Sequence, residues 1–447
     1  MVKLTNSFCS LKPFTALVIG DFMLDTYTTG KVRRISPEAP VPIMEVHSQE
    51  SRPGGAGNVV LNLMTLGAQV VVVGRIGNDT AGQQLQQQLS SANTCGIVIE
   101  QGYHTPVKNR LISDSQQLIR IDFEKISSLD PYLEQAVLLQ LEQLIPTVQV
   151  VAVSDYGKGF LTLAILAATT QIAKHHNIPI IIDPKGINFA KYKGATVLKP
   201  NLSEAYAAAK LPLTATLDEV AHVLFSTIDV DLLLITRSEA GISLFDRLGG
   251  RFDFPVRSKE VKDVTGAGDT VLATLCMSLA NKLDLASAVQ LANIAAGLSI
   301  ERLGCVQISL SDMARRLLEF DIGTKIFDEN HTYALHQILL GRRYTLLVLN
   351  HGQQMNNILF RTIRKLSKVD SELVIYLKGN PNDELIHLLA SLNEVHFIIF
   401  QTQSLKHLCE VIHPEEIFTL EDEHLAQITH GIELLNKLFE KNISSVV

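Results

Sequence analysis

Short apolar runs that end in small or polar residues, separated by helix-length stretches, recur along this chain and constrain its fold more than any other feature. Residues 15–20 (TALVIG), 69–74 (QVVVVG), 148–154 (VQVVAVS), 178–183 (IPIIID), 195–198 (ATVL) and 232–236 (LLLIT) are such runs. Each has the length and boundaries of a strand buried on both faces. Helices are expected over 58–66, 133–144, 163–175 and 217–225. Buried strands alternating with helices give a mainly parallel sheet covered on both sides. In such sheets ligands bind beyond the carboxyl ends of the strands, so the polar residues directly after each run are the ones to inspect. A hydrophobic fraction of 46% against 19% charged residues supplies the core that this requires.

Two stretches break the alternation. Residues 31–46 and 107–123 have the period-2 look of half-exposed strands with no helix between them. They suit a small antiparallel β flap over the site, or else edge strands of the main sheet. At 447 residues the chain exceeds one ordinary domain of ~150 residues. A boundary is expected within 321–330 (DIGTKIFDEN), giving domains 1–322 and 323–447. The second domain repeats the α/β pattern, with strands at 344–349, 373–377 and 395–400 and helices at 356–366 and 384–392.

Charge and cysteine usage narrow the function. The net charge is −7, and residues 321–447 carry 11 basic against 16 acidic side chains. A nucleic-acid-binding face is not expected. No apolar run reaches the ~18 residues of a membrane span, so no membrane role is expected either. The opening MVKLTNSFCSLKPF lacks the apolar core of a secretory signal. Cys9, Cys95, Cys276, Cys305 and Cys409 are odd in number and far apart, which suits reduced thiols in a cytoplasm. The 14 histidines form no HExxH or similar ligand pair.

The chemistry-bearing segments follow the apolar runs. Residues 263–270 (DVTGAGDT) enter an apolar helix. Small residues there let backbone N–H groups approach an anion, and the helix N-terminus adds partial positive charge. Gly266, Ala267 and Gly268 form this candidate anion hole. Asp269 is placed to accept a proton from an attacking hydroxyl. An Asp after a Gly turn also serves as an ordinary helix cap. Residues 54–58 (GGAGN) open a second helix, and Gly55 and Asn58 suit a polyhydroxyl ligand. Asp21 and Asp25 follow the first strand and can accept from sugar hydroxyls, with capping or metal binding as the alternative. DPKG (183–186) offers Lys185 to a substrate phosphate. In PNLSE (200–204), Asn201 and Glu204 have the oxygen-rich character of a water-mediated Mg2+ site.

Together these motifs resemble the ribokinase-like (PfkB) sugar kinases over residues ~10–320. The resemblance is carried by GGAGN, by GRIGND (74–79), by Asn201–Glu204 within KPNLSEA (199–205), and by DVTGAGDT. The stretch GDFMLDTYTTGKVRRISPEAPVPIMEV (20–46) narrows it. With SDYGKG (154–159), IIDPKG (181–186) and TRSEAGISL (236–244), it is similar to the heptose 7-phosphate kinase half of the bifunctional heptose kinase/adenylyltransferases. Gly57 and Lys199 depart mildly, since Ala and Thr are expected there.

The resemblance implies a ribokinase-like α/β fold and ATP-dependent phosphorylation of D-glycero-β-D-manno-heptose 7-phosphate at O1. The product, a 1,7-bisphosphate, would be a precursor of ADP-heptose for lipopolysaccharide core. Asp269 would be the base and Gly266, Ala267 and Gly268 the anion hole. Asn201, Leu202, Ser203, Glu204, Thr236, Ser238, Gly241 and Asn293 would hold ATP, with Asn201 and Glu204 toward Mg2+. Asp21, Asp25, Gly55 and Asn58 would hold the sugar, with Arg34 and Lys185 as candidates for its phosphate. A monovalent cation, a cytoplasmic location and a homodimer with flaps paired across it are further implications. A kinase for another sugar phosphate, or a non-catalytic scaffold, are the competing readings.

The tail departs from that family. A nucleotidyltransferase half begins with a TNGCFDxxHxGH-type segment, whereas residues 345–357 read TLLVLNHGQQMNN. The strand is retained, the HxGH pair is absent, and His351 stands alone. The expectation is a degenerate nucleotidyltransferase-like domain that keeps its fold without its reaction.

Overall fold

The first strand sets the architecture, because it serves two sheets in succession. In the computed structural model, which describes residues 4–114, 116–256, 261–302, 304–320, 325–327, 335, 339, 341–350, 353–367, 371–378, 383–400, 414–421 and 424–427, β1 runs unbroken over Phe14–Ile35. The sequence suggests that this strand ends at Gly20. Gly20 is instead a packing glycine, since a Cβ there would collide with the Ser154 carbonyl oxygen of the neighbouring strand. Beyond it the β-branched TYTT segment continues the strand. Thr26 bonds Ser51 (2.9 Å) and Thr28 donates to Asn109 (2.8 Å).

The inner part of β1 lies in the main sheet. β2 spans Pro42–Gly55, β3 Ala68–Gly77, β4 Asn93–Glu100, β5 Val107–Ser113 and β6 Gln116–Phe123. β7 (Val150–Ser154), β8 (Ile180–Asp183), β9 (Val197–Leu198), β10 (Leu232–Thr236), β11 (Ile242–Asp246) and β12 (Arg251–Phe254) follow. The order is β12-β11-β10-β9-β8-β7-β1-β3-β4, parallel except at β10–β11–β12. The chain winds outward in both directions from β1, so a crevice opens at the carboxyl ends of β1 and β7. Leu17, Ile19, Val151, Val153, Ile180, Ile182, Leu233 and Ile235 are buried in a core shared with Val137, Leu141, Ile165, Leu166, Val220 and Leu224 of the covering helices. Each such side chain contributes about 1.5–3 kcal/mol through burial.

The outer part of β1 forms the flap. It pairs antiparallel with β2 and parallel with β5, and β5 pairs antiparallel with β6. The expected antiparallel flap is therefore a mixed four-stranded sheet. β5 reaches β1 from the opposite direction to a hairpin because β3, a helix and β4 intervene.

A second sheet lies in the C-terminal half. β13 (Ile326–Phe327), β14 (Tyr344–Leu349), β15 (Glu372–Leu377), β16 (Phe397–Phe400), β17 (Glu416–Glu421) and β18 (His424–Gln427) take the order β13-β16-β15-β14-β17-β18. Only β17–β18 is antiparallel. Leu347, Leu349, Ile363, Leu373, Ile375, Leu389 and Ile398 form its core. The polar stretch 321–330, where sequence places the domain boundary, contains β13.

The chain divides into two compact units, Pro13–Ser309 and Leu310–Val447 with Met1–Lys12. The cut precedes the expected 322/323 boundary. The helix Leu310–Phe320 groups with the second unit because it packs with the helix Leu4–Cys9, burying Phe8, Met313, Ala314 and Leu317. Among the described residues, no helix is long and apolar enough to cross a membrane.

Candidate active site

Asp269 lies in the first turn of the helix Ala267–Ala280, and Gly266 caps that helix with a left-handed backbone (φ 79°). Gly266 holds the N-cap position with no side chain to accept from the first turn, and Asp269 lies inside the helix, so Asp269 is not the helix cap that the sequence also allowed. Its carboxylate is buried. Asn58 Nδ2 donates to Oδ2 at 2.7 Å and the Tyr156 hydroxyl donates to Oδ1 at 3.0 Å. Burial pushes this carboxyl up to about 7. The Asn58 hydrogen bond opposes the rise, nearby Asp183 adds to it, and Tyr156 and Lys199 oppose it. A carboxyl at that value can exchange a proton near neutral pH. The turn before it is tied by Asp263, which accepts from Thr265 N (2.9 Å), Thr265 Oγ1 (2.7 Å) and Gly304 N (2.9 Å).

Three strand ends converge on Asp269. Tyr156 follows β7, Asp183 ends β8, and Lys199 follows β9. Lys199 is buried and its Nζ lies 2.9 Å from Asp183 Oδ2. Burial raises the Asp183 carboxyl and Lys199 holds it down. Sequence reasoning placed none of these three in the site and noted Lys199 only as a mild departure, although Asp183 closes one apolar run and Tyr156 lies two residues past another, where the strand-end rule points. Lys108 on β5 was also missed; its Nζ lies 5.5 Å from the centre of the Tyr156 ring. Burial and nearby Lys158 lower its pKa.

The sugar candidates separate into two groups. Asn58 is committed to Asp269. Its Oδ1 receives Asn62 (3.3 Å) and Gln307 (3.4 Å), which fixes the amide orientation. Asp25 is buried and pairs with Arg110 at 2.5 Å. Gly55 ends β2 where the helix Ala56–Thr65 begins. Asp21 instead braces a loop: its carboxylate accepts from the backbone N–H groups of Tyr156 (3.0 Å), Lys158 (3.0 Å) and Phe160 (3.4 Å). That ties SDYGKG beneath Asp269. Arg34 lies at the exposed outer end of β1, in register with Ile43, and takes no part in the Asp269 hydrogen bonds.

The nucleotide candidates are held differently from the sequence picture. Asn201 and Glu204 form a capping box on the helix Leu202–Ala209, so Leu202 and Ser203 are its first residues. Glu204 also accepts from Lys185 Nζ at 2.8 Å. Lys185 thus joins the DPKG and PNLSE loops. Among the described residues, no group of three His, Cys, Asp or Glu side chains could hold a metal ion. Asn201 and Glu204 bond each other through the capping box, and Glu204 alone also bonds Lys185. Thr236 ends β10 in a bridge to Asn201, and Ser238 and Gly241 both have positive φ in the turn that follows. Asn293 donates to the carbonyls of Phe254 (3.2 Å) and Pro255 (2.8 Å), while its buried Oδ1 has no partner among the described residues.

GRIGND is structural. Arg75 bonds Glu100 (2.7 Å) and the carbonyls of Ser127 and Lys158 (both 2.8 Å). Asp79 caps the helix Thr80–Gln88 and binds Thr105.

A sheet crevice with a glycine-capped helix and a buried carboxylate is the arrangement of a phosphoryl-transfer site. The family model "pfkB family carbohydrate kinase" matches residues 15–312, and the chain belongs to that family. Within it, the chain is 46% identical over 301 residues to the "Bifunctional protein HldE" of Trichlorobacter lovleyi, covering 66% of this chain and 61% of that protein. In that match the chain spans about three fifths of its relative's length. Matches to HldE proteins run longer in Geotalea uraniireducens (35% identity over 437 residues, 92% of this chain and 89% of that one) and Vibrio atlanticus (36% over 440, 94% and 91%). The fold is also that of Arabidopsis thaliana ribokinase, solved with ribose and ATP (TM-score 0.56, 16% identity, 69% of this chain and 100% of that one). It is likewise that of Escherichia coli phosphofructokinase-2, solved with potassium (TM-score 0.55, 17% identity, 68% and 98%).

Proposed function

We propose that this carbohydrate kinase transfers the γ-phosphoryl group of ATP to O1 of D-glycero-β-D-manno-heptose 7-phosphate. The observation that carries the reading is Asp269, buried behind Gly266, Ala267 and Gly268 with both oxygens oriented by Asn58 and Tyr156. The O1 hydroxyl attacks phosphorus while Asp269 takes its proton. The helix N-terminus stabilises charge on the transferring group. The flap excludes water as a competing acceptor. Asn58 and Asp25 remain the sugar contacts in this proposal, with Asp21 acting through the loop it braces. Asn201–Glu204, Thr236, Ser238, Gly241 and Asn293 line the ATP side, and the free Asn293 Oδ1 suits an amino group. Magnesium enters as MgATP, a monovalent cation is a further cofactor, and the location is cytoplasmic.

The heptose assignment is supported by the 20–46 stretch and by identity to HldE proteins. The second unit is proposed as a nucleotidyltransferase-like domain without activity, supported by the missing HxGH pair. His351 lies outside the described residues. A homodimer is supported by the flap, where Ile119, Ile121 and Phe123 share one exposed face of β6.

Phosphorus NMR of the protein with MgATP and the heptose 7-phosphate tests this. A new anomeric phosphate that stops at the bisphosphate and is lost in Asp269→Asn is expected. ADP-heptose formed from heptose 1-phosphate and ATP would overturn the inactive tail. No anomeric phosphate would overturn the substrate assignment.

A further inference from the structure

Lys199 is the strongest feature that the kinase reading leaves unused. Its side chain is 2% exposed, and among the described residues its ammonium has one carboxylate partner, Asp183. A buried ion pair of this kind is a weak source of net stability, because desolving two charges offsets their attraction. Its position is more informative. A Cβ placed on Gly268 would lie 3.5 Å from Lys199 Nζ and 3.8 Å from Asp183 Oδ2. The ammonium therefore lies against the second residue of the helix that carries Asp269, beside the anion hole. An ammonium has three donors, and Asp183 needs only one.

We propose that Lys199 is a catalytic residue that contacts the γ-phosphoryl group during transfer, with Asp183 as the positioning residue that aims it. The inference rests on the kinase reading of this site. In the step, the bond between the γ-phosphorus and the β–γ bridging oxygen breaks. ADP leaves with that electron pair, and a bond forms from the sugar hydroxyl oxygen to phosphorus. The hydroxyl proton goes to Asp269. Lys199 keeps its own proton and donates hydrogen bonds to the non-bridging oxygens. The helix N-terminus supplies partial charge there, and Lys199 adds a full one where negative charge is concentrated. The Thr that the sequence resemblance leads one to expect at this position supplies no charge.

The test compares Lys199→Met with the double variant Asp183→Asn, Lys199→Met. The single change leaves Asp183 buried and unpaired, so loss of stability alone decides nothing. The double change removes both charges at once. Calorimetric titration with ADP and with the non-hydrolysable β,γ-imido analogue of ATP gives the first readout. Affinity for the analogue is expected to fall about tenfold in the double variant, with ADP affinity changed less than about twofold, because only the analogue carries the γ-group. The double variant should also regain the melting temperature of the unaltered protein while turnover stays at least about a hundredfold down. Recovery of turnover together with stability would overturn the proposal, as would equal losses for both nucleotides. If the unaltered protein bound neither nucleotide, the kinase reading itself would fall. If it bound both but phosphorylated no heptose, only the substrate would be wrong, and the titration would still decide the role of Lys199.

Discussion

The two units of this chain are built on the same plan, and they differ in what stands at the ends of their strands. Both have a mainly parallel sheet with apolar strands. In Pro13–Ser309, Asp21 within β1 and Tyr156 just past β7 are linked to Asp269 by hydrogen bonds, and the Asp183–Lys199 pair at the ends of β8 and β9 lies beside the same helix N-terminus. In the second unit β14 closes on Leu349 and Asn350 and β15 on Leu377 and Lys378, and the Lys378 N–H bonds the Leu349 carbonyl. Buried, mutually oriented ionisable groups such as those around Asp269 are costly to hold, which makes them markers of a functional site.

Removing Asp269, the proposed base, breaks this contrast most severely. Asp269→Asn is expected to lower turnover by roughly a thousandfold in an ADP-release assay. It should also stabilise the fold at alkaline pH. Folding raises this carboxyl from its ordinary 3.8 to about 7, so the native state holds the proton more tightly. Stability is therefore lost as pH rises through that window. The variant lacks the penalty, and its melting temperature should exceed that of the unaltered protein by a few degrees (about 2–4 °C) at pH 8, converging near pH 4. An unchanged gap across pH would show that Asp269 is not the raised group.

Gly266→Ala comes next. A side chain at φ 79° costs about 1–2 kcal/mol. Its Cβ would also press within 2.9 Å of Asn58 Nδ2. Turnover should fall about tenfold to a hundredfold, with loss of the Asn58–Asp269 alignment. Wild-type turnover would mean that the helix N-terminus is not the anion hole.

Tyr156→Phe is a smaller change. The hydroxyl helps hold the charge on Asp269, so its loss should move the acidic limb of the pH–rate profile upward from about 7 by up to about one unit. A profile that does not move would reduce Tyr156 to packing.

The smallest effect on catalysis is expected from the other unit. Leu347→Ala empties a fully buried site in β14 and should cost about 2–5 kcal/mol of that unit's stability. Sugar-kinase turnover should stay within about twofold below the new melting transition. A parallel loss of turnover would show that the second unit supports the first.

Much of this was legible in the residues. The apolar runs marked β3, β7, β8, β9 and β10, and polar 263–270 marked the helix that carries Asp269. The length of β1 was not legible, because Gly20 reads as a strand end when its real constraint is a carbonyl oxygen on β7. The roles of charged residues were the least legible. Asp21 and Glu204 read as ligands, and what sequence did not show is that Asp21 accepts from backbone N–H groups and Glu204 from Lys185 and the Asn201 N–H. Lys199 read as a mild substitution, yet it is a buried cation beside the transfer site.

The sequence by itself determined the periodicity, and with it the parallel sheets, the covering helices and the position of the glycine-capped helix. Those follow from local geometry and from burial, which act between neighbours in the chain. Only the tertiary structure decided which ionisable groups meet. Asn58 and Asp269 are far apart in sequence and 2.7 Å apart in space, as are Asp183 and Lys199 at 2.9 Å. The strength of a charge interaction depends on distance and surrounding dielectric, and neither is written in the order of residues.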